Sequence, residues 1–185
     1  ALQDIGRYIR SRLSLPLEGI TGALIRVEDT KKALQDIGRY IRSRLSLPLV
    51  GITGSVGKTT TREMIAAALS AGYRTFKTPA NHNSQVGVPI TISDISEADE
   101  IGVLELGMSE PGEMEVIADI ARVDTAVITN IGVTHIENLG SRENILKEKL
   151  RIQDGMKKGG TLFLNGDNEL LRDVRAKDGC ETSFY

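Results

Sequence analysis

Apolar residues recur at helical spacing twice near the start of the chain: Leu2, Ile5, Tyr8, Ile9 and Leu13, then Leu34, Ile37, Tyr40, Ile41 and Leu45. Steps of three and four predict two amphipathic helices of about three turns each. Asp29 and Thr30 stand ahead of the second as N-cap candidates, while the first begins at Ala1 with no capping side chain. Both helices should stop near "SLPL", because Pro16 and Pro48 lack an N–H and disfavour helical geometry in the preceding residue. From Leu49 the pattern changes. Short apolar runs at 49–53, 73–78, 101–106, 125–131 and 161–165 alternate with helical patterns at about 58–71, 84–92, 111–121 and 142–157. This alternation predicts an α/β three-layer domain with a mainly parallel sheet covered on both faces. Ligands in such sheets bind outside the carboxyl ends of the strands, so residues just after each strand are the site candidates.

The two helical stretches belong to a repeat. Residues 1–22, "ALQDIGRYIRSRLSLPLEGITG", recur as 33–54 with one difference, Glu18 against Val50. A natural solenoid drifts at its surface positions, and two copies cannot bury a stacked core, so near-identity points to a recent or engineered duplication. Copy two is tied to the strand that follows it. Copy one must cover another patch, displace copy two, self-associate between chains or stay exposed, and Glu18 disfavours a buried strand at the first "GITG".

Composition narrows the class. With 40% hydrophobic residues in 185, the chain can fill one core. Lys plus Arg (23) nearly balances Asp plus Glu (25), which argues against a nucleic-acid or acidic-membrane footprint. Cys180 is the single cysteine, excluding an internal disulfide framework. Without an apolar run of membrane length or a signal-peptide pattern, the expectation is a soluble cytoplasmic protein.

The sharpest chemical signal is "GITGSVGKTTT", which follows the run at 49–53 and opens a helical pattern. Gly51, Gly54 and Gly57 let backbone amides turn toward phosphate, with Ser55 and Val56 between them. Lys58 would reach the terminal phosphates, Thr59 would offer its hydroxyl to Mg²⁺, and Thr60 continues the helix start. Ile52 stands where the strict phosphate-loop pattern has its first glycine, so this is a variant loop. Glu105 ends an apolar run, where a carboxylate needs a partner or a cation, and so suits a Mg²⁺ ligand.

The motif T-G-x-x-G-K-T-T resembles the loop of the Mur ligases, ATP-dependent amide-forming enzymes of peptidoglycan precursor synthesis, and of their folylpolyglutamate synthetase relatives. Three later stretches resemble Mur ligase segments in the same order: "TPANHNSQVGVPITI" (78–92), "VLELGMSEPGEM" (103–114) and "TNIGVTHIENLGS" (129–141). The asparagine-rich first stretch resembles the D-alanyl-D-alanine-adding branch. The resemblance implies ATP and Mg²⁺ as cofactors, with His135 on a second Mg²⁺. It also implies that Lys149, fourteen residues after His135, can be carbamylated by CO₂ to help hold that metal. Such a lysine must be neutral, hence buried or beside other cations. Asn81, Asn83 and Ser84 would line the substrate side of the cleft, although an Asn-rich turn before a helix explains them nearly as well. Asn165, Asp167 and Asn168 read as a turn and cap.

The implied reaction phosphorylates the carboxylate of a UDP-muramoyl tripeptide to an acyl phosphate, which D-alanyl-D-alanine then attacks. Against the family pattern the chain divides into a duplicated segment (1–22), a linker (23–32) and a partial central ATP-binding domain (33–185). The UDP-binding and amine-binding domains are not in it, so complete ligation by this polypeptide is not expected. Two other readings remain: a folylpolyglutamate- or cyanophycin-synthetase-like ligase, and an engineered duplication or conformational switch on this scaffold.

Overall fold

The computed structural model describes residues 27–185; the first repeat copy, with the helix expected there, lies outside them. Helix α1 (Thr30–Arg44) starts at Asp29, whose carboxylate accepts the Lys32 amide at 2.9 Å, and stops before Pro48. It takes in Thr30 to Lys32, the end of the segment read as a linker.

Its buried face differs from the apolar list. Leu34, Gln35, Gly38 and Arg42 are buried, whereas Ile37 (36%) and Tyr40 (68%) remain exposed. Gly38 explains the rotation, because a Cβ there would lie 2.6 Å from the Pro89 Cβ. The helix approaches its neighbour along its glycine, not along its largest side chains.

Strands β1 (Leu49–Thr53), β2 (Thr75–Lys77), β3 (Ile101–Glu105), β4 (Thr125–Ile128), β5 (Thr161–Leu164) and β6 (Glu181–Phe184) form one sheet in the order β2-β3-β1-β4-β5-β6. Every pairing is parallel. The helices are α2 (Lys58–Leu69), α3 (Gly87–Asp94), α4 (Glu113–Ala121), α5 (Ile136–Leu139) and α6 (Arg142–Leu150). The pattern at 142–157 breaks into α6 and a 3₁₀ turn, Arg151–Gly155, where a Cβ on Gly155 would meet the Ala118 carbonyl oxygen at 2.0 Å. β6 and α5 carry no run long enough to have been predicted.

The main core lies on one face, where Ile92, Ile117, Ile120 and Ile145 from α3, α4 and α6 pack on Leu49, Leu104 and Ile128. The opposite face is smaller: Ala66, Ile65 and Leu69 of α2 cover Ile52, Val103 and Val127. Both faces carry helices, as expected, but the second is covered only in part. An apolar groove of about 400 Å³ lies there between α2, Val50, Val127, Phe163 and Tyr185.

At the amino ends of the strands a buried clamp closes the domain. Arg42 donates to the carbonyls of Ala121 (2.7 Å), Arg122 (2.9 Å) and Leu45 (3.1 Å) and to Asp124 (3.3 Å). Asp124 also accepts the Leu49 amide at 2.9 Å. The otherwise unpaired carbonyls at the end of α4 are thereby satisfied.

Candidate active site

The opposite ends of the strands carry the candidate chemistry. β1 leads into residues 54–57 and α2 begins at Lys58. Gly54 (φ 150°) and Gly57 (φ 83°) hold conformations that side chains rarely adopt, and a Cβ on Gly54 would lie 1.9 Å from the Thr129 hydroxyl. The first bond of α2 runs from the Thr61 amide to the Gly57 carbonyl, so the amides of Lys58, Thr59 and Thr60 precede the helical ladder and suit an anion. The Lys58 ammonium rests on the Gly54 carbonyl at 2.9 Å.

Two of the expected phosphate-binding amides are already engaged. Ser55 donates its amide to the Asn130 carbonyl at 3.0 Å, and Val56 donates to the Asn130 side chain at 2.9 Å. Thr129 donates to the Val56 carbonyl at 2.5 Å, and the Ser55 hydroxyl accepts the Gly132 amide at 2.9 Å. Asn165 and Asn168, read as turn residues, donate to the Thr129 and Ile131 carbonyls and brace the same loop. Ser55 and Val56 are thus tied to the stretch after β4, which holds the glycine loop in place.

Three sequence candidates meet at the end of β3. Glu105, 3% exposed, accepts from Asn83 Nδ2 (2.8 Å) on one oxygen and from Thr59 Oγ1 (3.0 Å) on the other. Arg62, absent from the sequence candidates, donates to that second oxygen at 3.2 Å. The carboxylate and hydroxyl are hard oxygen donors of the kind Mg²⁺ takes. Among the described residues no group of three or more His, Cys, Asp or Glu is placed to hold a metal, so phosphate and water would have to complete the shell.

Lys149 is 2% exposed on α6. Burial, then the nearby Lys58 charge, lower its pKa to about 7 against the opposing pull of Glu148. Lys58 is itself lowered by burial, with Glu105 opposing. The two lysines thus share one region. His135 is half-buried in a left-handed conformation (φ 65°) at the start of α5. Ser84 and Asn81 bond within their own turn. The Ser84 hydroxyl accepts the Gly87 amide at 3.2 Å as α3 begins, and exposed Asn81 offers its carbonyl to the Asn83 amide.

A glycine loop that opens a helix, a strand-end glutamate bound to the helix's Thr59 and an asparagine turn come together at the end of β3, and residues 52–185 match the Mur ligase middle domain. The chain belongs to the Mur ligase family. It is 43% identical over 172 residues to the Bacillus subtilis protein named UDP-N-acetylmuramoyl-tripeptide--D-alanyl-D-alanine ligase, covering 93% of this chain and 37% of that one. A MurF crystal structure from Acinetobacter baumannii superposes with a TM-score of 0.82 at 30% identity, covering 86% of this chain and 36% of that one. MurF from Thermotoga maritima in complex with ADP gives 0.79 at 34% identity, over 86% of this chain and 37% of that one. This Mur ligase chain therefore spans just over a third of the length of such relatives. No helix among its described residues is long and apolar enough to cross a membrane.

Proposed function

We propose that the chain is the nucleotide-handling part of a cytoplasmic ligase that joins D-alanyl-D-alanine to a UDP-muramoyl tripeptide at the expense of ATP. The observation that carries this reading is the Thr59–Glu105–Asn83 cluster beside the phosphate loop. Mg²⁺-ATP, when bound, supplies the phosphoryl group that activates the peptide carboxylate. Lys58 leaves its Gly54 contact to neutralise phosphate charge, and the amides at the start of α2 orient the phosphate oxygens. Thr59 and Glu105 would hold Mg²⁺, and Asn83 would keep the carboxylate aimed. Neutral Lys149 can add CO₂, forming an N–C bond and releasing a proton; the resulting carbamate, with His135, would serve a second Mg²⁺.

Lys58→Ala should weaken ADP binding by roughly 10- to 100-fold, the worth of one charge-assisted contact. Titration calorimetry of the 185-residue chain in Mg²⁺ reads this out. Unchanged affinity would remove the phosphate role of Lys58.

A second reading concerns copy one, whose structure lies outside the described residues. The α1 residues buried against the domain, Leu34, Gln35, Gly38 and Arg42, recur as Leu2, Gln3, Gly6 and Arg10. We propose that copy one can take the α1 position on another chain, giving self-association. Sedimentation at rising concentration should show a dimer that Gly6→Leu abolishes, since a side chain at the equivalent Gly38 would strike Pro89. A wild-type chain that stays monomeric overturns this reading.

A further inference from the structure

Arg62 is 6% exposed, although an arginine beside a phosphate loop would ordinarily reach for solvent or substrate. Its guanidinium joins three elements. Nη1 donates to Glu105 Oε2 at 3.2 Å and to the Ala80 carbonyl at 2.9 Å, while Nε and Nη2 grip Glu63 at 3.1 and 2.7 Å. Ala80 has a positive φ of 47° and opens the turn that presents Asn83 to the other oxygen of Glu105. One side chain thus fixes the candidate metal carboxylate and the turn that supports it. Only a planar, forked donor can do both at once.

The charge arrangement has a consequence for metal entry. Both Glu105 oxygens are occupied, Oε1 by Asn83 and Oε2 by Thr59 and Arg62, with the Lys58 ammonium close enough to interact. A bare divalent cation approaching Glu105 would face the repulsion of Arg62 and Lys58 at short range in a partly dry site. A polyphosphate brings several negative charges and reverses that balance. Resting on the nucleotide-site reading above, we propose that Arg62 is a positioning residue that keeps Glu105 paired until nucleotide arrives, so that the site takes a divalent cation together with a nucleoside polyphosphate and not alone.

Mn²⁺ binding by the 185-residue chain, followed by electron paramagnetic resonance with and without ADP, tests this without any turnover. Wild type is expected to bind Mn²⁺ at least about tenfold more tightly with ADP present. Arg62→Gln should bind Mn²⁺ alone roughly tenfold more tightly than wild type and so narrow that gap. Arg62→Lys, which keeps the charge, should still exclude free Mn²⁺, and Glu105→Gln should lose the tight Mn²⁺ binding that ADP brings. Circular dichroism checks that each variant folds. Wild type binding Mn²⁺ equally well without ADP overturns the proposal without reference to any variant, as does an Arg62→Gln protein with an undiminished gap. Failure of wild type to bind ADP at all, with or without metal, instead sinks the nucleotide-site reading and the inference with it.

Discussion

Arg42→Met is expected to lower the unfolding free energy by about 3–5 kcal/mol, the cost of removing one partner from a buried, charge-bearing network. The Arg42 side chain satisfies the Ala121, Arg122 and Leu45 carbonyls and reaches Asp124, and methionine replaces none of these bonds. The carbonyls at the end of α4 would lose their donor. Asp124 would retain Lys157 at 3.0 Å, a contact more than half exposed on the lysine side and therefore weak compensation. Arg42→Lys should recover little, because a single ammonium cannot span four acceptors on three sides. Urea denaturation of wild type and both variants gives the comparison, and a loss below about 1 kcal/mol would mean the clamp is incidental.

Lys149→Met should act in the opposite direction. An unfolded lysine titrates near 10.4, whereas burial and the Lys58 charge bring Lys149 to about 7. Between these values the unfolded chain holds a proton that the folded chain has released, so wild-type stability should rise with pH from about 7 to about 10. Below about 7 both forms are protonated, and the folded protein carries the full cost of a buried ammonium. Methionine removes that cost, so the variant should be more stable at pH 6 by an amount on the order of 4 kcal/mol at most, with the gain fading by about pH 10. Thermal melts across this range provide the measurement, and a gain that does not shrink with pH would assign it to packing. In ¹³C-bicarbonate at pH 8, wild type should show a carbamate resonance that Lys149→Met lacks.

The sequence located the elements whose local pattern is complete. β1 falls at 49–53 as predicted, because an apolar run there lies between Pro48 and Gly54. β6 was missed since "ETSF" is a short, partly exposed edge strand whose partner, not its composition, makes it extended. On α1, periodicity found the helix but misassigned its face, because a glycine at a close crossing outranks the apolar count. The same division holds in the site. Glycines, Lys58 and Thr59 announce themselves by spacing and Glu105 by its place at the end of an apolar run, while the family resemblance singled out Asn83. Arg62 and Asn130 did not stand out, since their roles come from long-range contacts. A signal for Arg62 existed nonetheless: it lies four residues after Lys58 and three after Thr59, on the same side of the helix.

All six strands of the described residues run the same way, so the two ends of the sheet have separate occupations. Arg42, Asp124 and Leu49 brace one rim, while Gly54, Glu105 and Thr129 equip the other, with the length of the sheet between them. Changes at the bracing rim are far enough from the equipped rim to combine with it almost independently. A laboratory that wishes to harden this scaffold, or to retune what it binds, can therefore pursue the two aims as separate libraries and merge the winners.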